Sequence, residues 1–460
     1  MSAYTRLVSG LVFPLHERIK GHSSVRRLHE LEASQWWAPE RVRELQLARL
    51  REFLARIGAT VPFYESMFRA RGFDPRSIDS VAALERLPLL SKPVIRAQAE
   101  GLKARDARGL TRYNTGGSSG EPLVFYIGKE RRSHDVAAKW RCTRWWGVDI
   151  GDPEAVVWGS PIELSTQDRI KALRDRVLRT ELLPAFEMSP AKLDRFCAAL
   201  RHRRPRMVFG YPSSLALIAE HARRRGVRLD DLGTRVVFVT AERLYEDQRR
   251  TLETAFGCKV ANGYGARDAG FIAHECPHGG MHVSAEDIVL EIVDRDGRAV
   301  APGTAGEIVV THLATADFPF VRYRTGDVAV ASTARCACGR GLPLLERIEG
   351  RTTDFVVAQD GTVMHGLALI YAVRDLPGIA RFRIVQHDLA HTEVELVPGE
   401  GYRTEYEERI RAQFQARLGA DVTVTIRRVE AIAPEASGKH RYVVSRVDPA
   451  AAAQGEVARA

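Results

Sequence analysis

Short apolar segments alternate with amphipathic helical segments through the middle of the chain, and this alternation constrains the fold more than any other feature of the sequence. The helical patterns cover 131–147, 189–204, 213–226 and 244–257. The apolar segments predict strands over 123–127, 155–158, 207–210, 236–240 and 259–262. Strands that alternate with helices are typical of a sheet with mainly parallel strands, so we predict an α/β fold.

The regions on either side of this alternation have different patterns. Residues 1–110 predict a helical N-terminal region of the large domain, with one helix over 24–57. Within a predicted core of 110–350, residues 280–330 carry alternating strands and Gly/Pro turns, which indicates a β-rich antiparallel subdomain. Residues 351–446 predict a small α+β domain. The Ala-rich tail over 447–460 is expected to be disordered.

The charge of the chain first suggests a polyanionic partner, but its distribution argues against one. The chain has 460 residues and a net charge of +10, from 68 basic and 58 acidic residues. Only nine of the basic residues are Lys, and the Arg residues are scattered and interleaved with acids. A nucleic-acid-binding surface requires basic residues concentrated on one face, so we expect no nucleic-acid partner.

Length and apolar content set further limits. A chain of 460 residues exceeds what one hydrophobic core usually organises, so two or more domains are expected. No segment approaches the run of about 20 apolar residues that spans a bilayer. The short apolar piece near the start has no small-residue cleavage site, so we expect a cytoplasmic protein. The six Cys are then expected to be reduced thiols or metal ligands.

A Gly-rich segment before the first predicted strand suggests nucleotide chemistry. It runs Thr115-Gly116-Gly117-Ser118-Ser119-Gly120. Glycines let backbone N–H groups turn toward an anion, and the hydroxyls add donors, as a phosphate cradle requires. The segment is not a GxxxxGK[ST] loop because no Lys follows it. A flexible surface loop is the alternative interpretation.

Three further segments have chemistry that suits a nucleotide. Asn262-Gly263-Tyr264-Gly265 places an aromatic ring between two glycines, where it can lie against a base, or where it serves as a structural Tyr. Asp268 follows it and offers an oxygen ligand to Mg²⁺. Asp327, at a predicted strand start, can accept hydrogen bonds from two ribose hydroxyls. Arg351 lies in a turn at the predicted domain boundary.

Lys439 lies on a Gly-containing loop, Ser437-Gly438-Lys439, and is the only Lys after Lys259. In a chain whose cations are mostly Arg, it suggests a need for a compact ammonium donor. A chance surface Lys is the alternative.

Taken in order, these five segments resemble the adenylate-forming superfamily of acyl- and aryl-CoA synthetases over about 110–446. Tyr323-Arg324-Thr325-Gly326-Asp327 together with Gly438-Lys439 is the most specific part. Within the superfamily, the chain is most similar to the phenylacetate–CoA ligase family and its CapK-like branch. The resemblance implies a large N-terminal adenylate-forming domain, a small mobile C-terminal lid and a homodimer.

The resemblance also implies a reaction, in which a carboxylic acid and ATP form an acyl-adenylate that the thiol of CoA then attacks. Lys439 would bridge the carboxylate and the α-phosphate. Asp268 would stand where the family usually has a Glu that helps to bind Mg²⁺. The residues implied in ATP binding are Thr115, Gly116, Gly117, Ser118, Ser119, Gly120, Glu242, Asn262, Gly263, Tyr264, Gly265, Asp327 and Arg351.

The acid and the acceptor stay open. Tyr211, Pro212 and Ser213 follow a predicted strand, where α/β ligand sites form, and are candidates for substrate binding. An amine, a sugar or a carrier protein could replace CoA as acceptor. Glu121 stands where the family's phosphate loop commonly has Lys, which leaves a catalytically inactive nucleotide-binding scaffold as a further alternative.

A Cys/His pattern predicts a structural zinc site. Cys276 and His282 precede the pair Cys336 and Cys338, and thiolate with imidazole ligands in a tetrahedral array favours Zn²⁺. His278 is the substitute for His282. Reduced thiols and surface histidines are the alternative.

Overall fold

A computed structural model describes residues 2–115, 123–158, 169–185, 187–242, 244–294, 296–348, 355–432 and 442–447. Several predicted features lie outside these residues, namely Gly116–Gly120, Glu121, Arg351, Lys439 and the tail 448–460. Within the described residues, no helix is both long and apolar enough to cross a bilayer.

Twenty strands lie in the described part of the chain. Numbered in chain order, they are β1 Thr111–Asn114, β2 Val124–Ile127, β3 Glu154–Trp158, β4 Thr180–Pro184, β5 Glu187–Met188, β6 Met207–Gly210, β7 Val236–Thr240, β8 Lys259–Ala266, β9 Gly270–Glu275, β10 Met281–Val283, β11 Ile288–Val293, β12 Ala305–His312, β13 Tyr323–Ser332, β14 Leu344–Ile348, β15 Phe355–Val357, β16 Val363–His365, β17 Ile379–Gln386, β18 His391–Pro398, β19 Thr423–Arg428 and β20 Val443–Ser445.

The α-helices of the described residues are numbered in the same way. They are α1 Ala3–Leu7, α2 Phe13–Ile19, α3 Ser24–Ser34, α4 Pro39–Thr60, α5 Pro62–Arg71, α6 Lys92–Ala97, α7 Lys129–Arg144, α8 Arg169–Leu178, α9 Pro190–Arg203, α10 Pro212–Arg224, α11 Glu246–Phe256, α12 Leu367–Arg374 and α13 Glu405–Leu418. A π-helical segment, Val8–Val12, joins α1 to α2. Short 3₁₀ helices occupy Pro75–Ser77 and Val81–Arg86.

One sheet of eleven strands forms the body of the large domain. Its order is β11-β12-β13-β14-β10-β9-β8-β7-β6-β3-β4. The strands from β8 to β4 pair in parallel, because helices cross between them, and the strands from β9 to β11 pair antiparallel. The predicted α/β fold with a β-rich part is therefore confirmed, and the two parts share a single mixed sheet.

Strand β8 is the point at which the sheet changes from parallel to antiparallel pairing. It pairs in parallel with β7 from Val236↔Lys259 onward, and antiparallel with β9 through Gly263↔His274. The prediction that the strand ends at 262 is wrong, because β8 continues to Ala266. Asp327 likewise lies inside β13 rather than at a strand start. Ladder hydrogen bonds to a neighbouring strand extend both elements beyond their apolar residues.

The N-terminal helical region also departs from its prediction. A single helix over 24–57 is wrong, since α3 ends at Ser34 and α4 begins at Pro39. Proline at the first helical position favours a new helix start, because it lacks the N–H that would continue the preceding helix. Helix α4 then packs Leu50, Leu54 and Ile57 into the core beneath β11–β13.

The C-terminal region folds around its own core. Strands β19-β18-β17-β20 form a four-stranded sheet, and α12 and α13 pack on it through residues such as Leu369, Val373 and Phe414. Strands β15 and β16 instead form a three-stranded sheet with β5, through Val363↔Met188. This pairing joins the start of the C-terminal region to the large domain.

We expect Gly265→Ala to destabilise the large domain. A Cβ at this position would lie 2.4 Å from the carbonyl oxygen of Gly270 on the paired strand. Neither backbone can move without breaking ladder hydrogen bonds, so a loss of about 1–3 kcal/mol in the free energy of unfolding is expected in urea titrations. Gly10→Ala is the matched control, because no atom lies within 4 Å of its added Cβ. Equal stability of the two variants would contradict the close approach at β8.

Candidate functional site

Tyr264 and Asp327 come together although they lie on distant strands. The Tyr264 hydroxyl on β8 donates a hydrogen bond of 3.0 Å to Asp327 Oδ2 on β13. The two strands are four positions apart in the sheet order, which is about 19 Å in a flat sheet. The contact therefore requires a strongly curled sheet. It brings the predicted base-binding ring and the predicted ribose-binding carboxylate to one place.

Asp268 lies in the turn between β8 and β9, and its carboxylate accepts a hydrogen bond from the hydroxyl of Tyr323. Both side chains are buried. The carbonyl oxygens of Arg267 and Asp268 accept hydrogen bonds of 3.3 and 3.5 Å from the buried Arg131 guanidinium. The turn that carries the predicted metal-binding carboxylate is therefore held by groups on two other elements, β13 and α7.

Tyr323 and Arg131 were not among the predicted site residues. Tyr323 opens the segment Tyr323-Arg324-Thr325-Gly326-Asp327, which is the most specific part of the sequence resemblance. That motif is a signal that could have found Tyr323. Arg131 lies on α7 with no motif around it, and only the fold brings it to the site.

Arg322 supports the beginning of β13 from beneath. Its backbone has φ 52°, in the left-handed region, and its side chain is buried. The guanidinium donates to Glu291 at 3.1 Å and to the carbonyl oxygens of Leu87 and Gly297 at 2.8 and 2.6 Å. Burial raises the pKa of the Glu291 carboxyl, and Arg322 acts to lower it. The paired charges thus fix the backbone from which Tyr323 projects.

The carboxyl ends of three parallel strands carry a second group of predicted residues. The Ser213 hydroxyl, one residue after Pro212 at the start of α10, donates to Glu242 after β7. Ala241, before Glu242, has φ 72°, a strained conformation for a residue with a Cβ. The Tyr211 ring stacks on Trp158 at the end of β3, with centroids 4.3 Å apart. The structure thus brings Glu242 to the predicted substrate residues.

Thr115 lies at the base of the predicted phosphate loop. Its N–H donates to Leu123 O at 3.0 Å, and its hydroxyl accepts from Leu123 N–H at 2.9 Å. Arg267 Nη1 donates to Asn114 O at 3.2 Å. The two ends of the loop are therefore held together next to the segment that carries Tyr264 and Asp268.

A buried histidine pair lies behind Asp268. The His134 ring meets the His312 ring edge-on, with centroids 4.7 Å apart. Asp135 lies within 4.8 Å of both rings, and Arg131 donates to both of its carboxylate oxygens at 2.9 Å. Burial lowers the pKa of His312 to about 3, so this imidazole is neutral near pH 7.

Cys276, His282, Cys336 and Cys338 form a separate cluster. Their ligand atoms all lie within 4.8 Å of one another. Sγ of Cys276 lies 3.6 Å from Sγ of Cys336, and Sγ of Cys338 lies 3.2 Å from Nε2 of His282. A tetrahedral zinc ion separates such ligands by about 3.6–3.8 Å. His278 is exposed and lies outside the cluster.

The surroundings of this cluster suit metal ligation. His282 Nδ1 faces the carbonyl oxygen of Leu342 at 3.4 Å, which leaves Nε2 directed at the thiols. Burial lowers the pKa of His282 to about 4, so the ring is neutral, as a ligand must be. A Cβ at Gly280 would lie 2.6 Å from Sγ of Cys336. Glycine at this position therefore leaves space for that thiol.

Two family models match separate parts of this chain. The family described as "AMP-binding enzyme" matches residues 182–316, and the family described as "CapK C-terminal domain" matches residues 356–446. Protein CapK of Staphylococcus aureus is 23% identical over 408 residues, which cover 88% of this chain and 89% of CapK. A phenylacetate-coenzyme A ligase of Thermus thermophilus is 27% identical over 328 residues, which cover 69% of this chain and 72% of the ligase.

Solved structures share the fold. A 2-hydroxyisobutyryl-CoA ligase in complex with 2-HIB-AMP and CoA, in the thioesterification state, superposes with a TM-score of 0.65 at 22% identity. The match covers 93% of this chain and 94% of the ligase. The same ligase in its postadenylation state, with R3-HIB-AMP, gives a TM-score of 0.59 over the same shares of both chains.

Substitutions at two arginines test how the beginning of β13 is stabilised. Arg322 directly precedes β13, and Arg324 lies within it. Arg322→Met would leave Glu291 as a buried, unpaired charge, so the free energy of unfolding should fall by about 3 kcal/mol or more. Arg324→Met is the control, since this Arg pairs with Glu307 with its side chain 45% exposed, and the expected loss is under about 1 kcal/mol. Urea unfolding measures both variants. Similar losses would show that the buried pair is not the main support.

Proposed function

Because this chain belongs to the adenylate-forming superfamily, on the CapK-like branch of its phenylacetate–CoA ligase family, we propose that it activates a carboxylic acid with ATP and transfers the acyl group to coenzyme A. In the first step, a carboxylate oxygen bonds to the α-phosphorus and the bond to the β-phosphate bridge breaks, which releases pyrophosphate. In the second step, the CoA thiolate bonds to the acyl carbon and AMP leaves.

The contact between Tyr264 and Asp327 is the observation that carries the proposal. A tyrosine ring covers one face of adenine, and a carboxylate accepts hydrogen bonds from both ribose hydroxyls. The 3.0 Å hydrogen bond between the two side chains sets their separation before a nucleotide binds. Preorganised groups lose less conformational entropy on binding, which supports an adenosine site here.

Asp268 has the chemistry for Mg²⁺ next to this site. The carboxylate supplies hard oxygen ligands, and the Tyr323 hydroxyl holds it in one orientation. A bound Mg²⁺ would supply positive charge against the pyrophosphate that leaves. Arg267, which donates to the base of the phosphate loop, lies beside it and adds a fixed cation.

The acid is proposed to bind near Tyr211 and Ser213. The stacked rings of Tyr211 and Trp158 provide an apolar wall, and Glu242 accepts the Ser213 hydrogen bond at its edge. A wall of two aromatic rings favours an aryl or other apolar acid over a highly charged one. A second candidate keeps the adenylation and changes the acceptor, with an amine, a sugar or a carrier protein in place of CoA.

Lys439 is proposed to stabilise the charge that builds up during adenylation. Lys439→Ala should lower acid-dependent exchange of labelled pyrophosphate into ATP by about a hundredfold or more, and should leave ATP binding within a few-fold of the parent chain. Lys259→Ala is the matched control, because the Lys259 ammonium instead donates to the Pro277 carbonyl oxygen at 3.0 Å. Unchanged exchange in Lys439→Ala would refute the assigned role.

Pyrophosphate exchange with a panel of acids also separates the candidate functions. Exchange that depends on one acid, together with thioester formation from CoA, supports the ligase. Exchange without thioester, at saturating CoA, supports transfer to another acceptor. ATP binding without exchange for any acid supports a scaffold and contradicts the proposed activity.

We propose in addition that Cys276, His282, Cys336 and Cys338 hold a structural zinc ion, with no position open for water. The parent chain, purified without chelators, should contain about one zinc per chain, and Cys338→Ser should lose the zinc and melt at a lower temperature. Cys258→Ser is the control, because this Cys lies outside the cluster. Elemental analysis that finds less than about 0.3 zinc per chain in the parent would overturn the proposal.

A further inference from the structure

The N-terminal helix presents an apolar stripe to the outside of the molecule. Helix α1, the π-helical segment and α2 run without a break from Ala3 to Ile19. The exposed residues of the stripe, with their relative exposure, are Tyr4 41%, Leu7 51%, Leu11 61%, Leu15 55% and Ile19 77%. We call these five residues the N-terminal stripe. They extend over about 22 Å at 1.5 Å rise per residue.

This stripe is unusual within the molecule. The described residues include nine large apolar side chains that are exposed, and five of them belong to the stripe. A sixth, Leu173, lies on α8, whose Val177 carbonyl oxygen accepts a 2.7 Å hydrogen bond from Tyr4. Contiguous exposed apolar surface on a folded chain marks a contact site.

The opposite face of the same helix packs against the rest of the protein, so the stripe is not a frayed segment. Val8 and Phe13 are 0% and 5% exposed and pack with Leu28, Leu31 and Trp140. The spacing of the stripe, three residues and then four, is the spacing that keeps side chains on one face of a helix. The π-helical segment, Val8–Val12, lies in the middle of the stripe.

The charges around the stripe are positive. Arg6, Arg18 and Lys20 are exposed on this helix or directly after it. The Lys129 ammonium lies close to Gly21, since a Cβ added at Gly21 would be 3.1 Å from Lys129 Nζ. The one acid among residues 2–20, Glu17, is buried and receives hydrogen bonds from His22 and Ser24. Burial and, after it, the nearby Arg174 lower the pKa of Lys20.

We propose that the N-terminal stripe lies on an anionic lipid surface, with its apolar side chains at the acyl boundary and its cations among the headgroups. An amphipathic helix with an aliphatic face and flanking Lys and Arg has the chemistry of an interfacial helix. A two-fold contact with a second copy would bring Arg6, Arg18 and Lys20 of both copies together, which is unfavourable. The stripe consists of side chains that project from one exposed helix. A fluid bilayer can surround projecting side chains without a surface of complementary shape.

Vesicle co-sedimentation of the full chain tests this proposal. The parent chain should sediment with vesicles of phosphatidylcholine and phosphatidylglycerol, and much less with phosphatidylcholine alone, and binding should weaken as salt is raised. Leu11→Glu combined with Ile19→Glu should reduce binding by about tenfold or more. Val94→Glu is the matched control, since it places the same charge on an exposed apolar residue of α6.

The charge contribution is tested separately with Arg18→Glu combined with Lys20→Glu, which should also reduce binding. Arg403→Glu combined with Arg409→Glu removes two exposed cations elsewhere and should bind like the parent. Melting temperature and solution pyrophosphate exchange should be unchanged in all of these variants. Equal sedimentation with both vesicle types overturns the proposal. A second pair of results also overturns it. The parent chain does not sediment with either vesicle type, and analytical ultracentrifugation finds a parent dimer that Leu11→Glu combined with Ile19→Glu dissociates.

Discussion

The close approach of β8 to both of its neighbours is the constraint on which the rest of the site depends. A Cβ at Gly263 would lie 2.7 Å from the Phe238 ring, and a Cβ at Gly265 would lie 2.4 Å from Gly270 O. Only glycine fits at both positions, so β8 can pair in parallel on one side and antiparallel on the other. Tyr264, between the two glycines, is thereby held at the point where the two halves of the sheet meet.

The curl of the antiparallel half then brings β13 back toward Tyr264. Arg322 anchors that strand to the N-terminal region through Leu87 O, and Leu90 exchanges 2.9 Å backbone hydrogen bonds with Arg322 and Arg324. The segment that contains Leu87 and Leu90 thus supports β13 as well as connecting its neighbours in the chain. Asp268 and Asp327, which lie far apart in sequence, owe their common location to these backbone contacts.

The sequence predicted the elements well where apolar periodicity alone decides them. The predicted strands over 207–210 and 236–240 match β6 and β7, because buried parallel strands read as continuous apolar runs. The continuation of β8 and β13 through Gly-rich, polar segments could not be predicted, because ladder pairing with distant strands stabilises it. The order of the sequence motifs identified Tyr264, Asp268 and Asp327 as candidate site residues. It could not find Arg131, His134 or His312, since side chains that meet across more than a hundred residues leave no local pattern.

The central claim is that this geometry joins a carboxylate to the α-phosphorus of ATP. The most direct test follows the carboxylate oxygens of an acid that supports pyrophosphate exchange, labelled with the heavy isotope of oxygen, through a complete reaction. The account predicts that one labelled oxygen appears in AMP, because the acyl carbon keeps the other when the thiol or another acceptor displaces the nucleotide. Label in inorganic phosphate, with ADP as the nucleotide product, would mean that an acyl phosphate forms instead and would contradict the account.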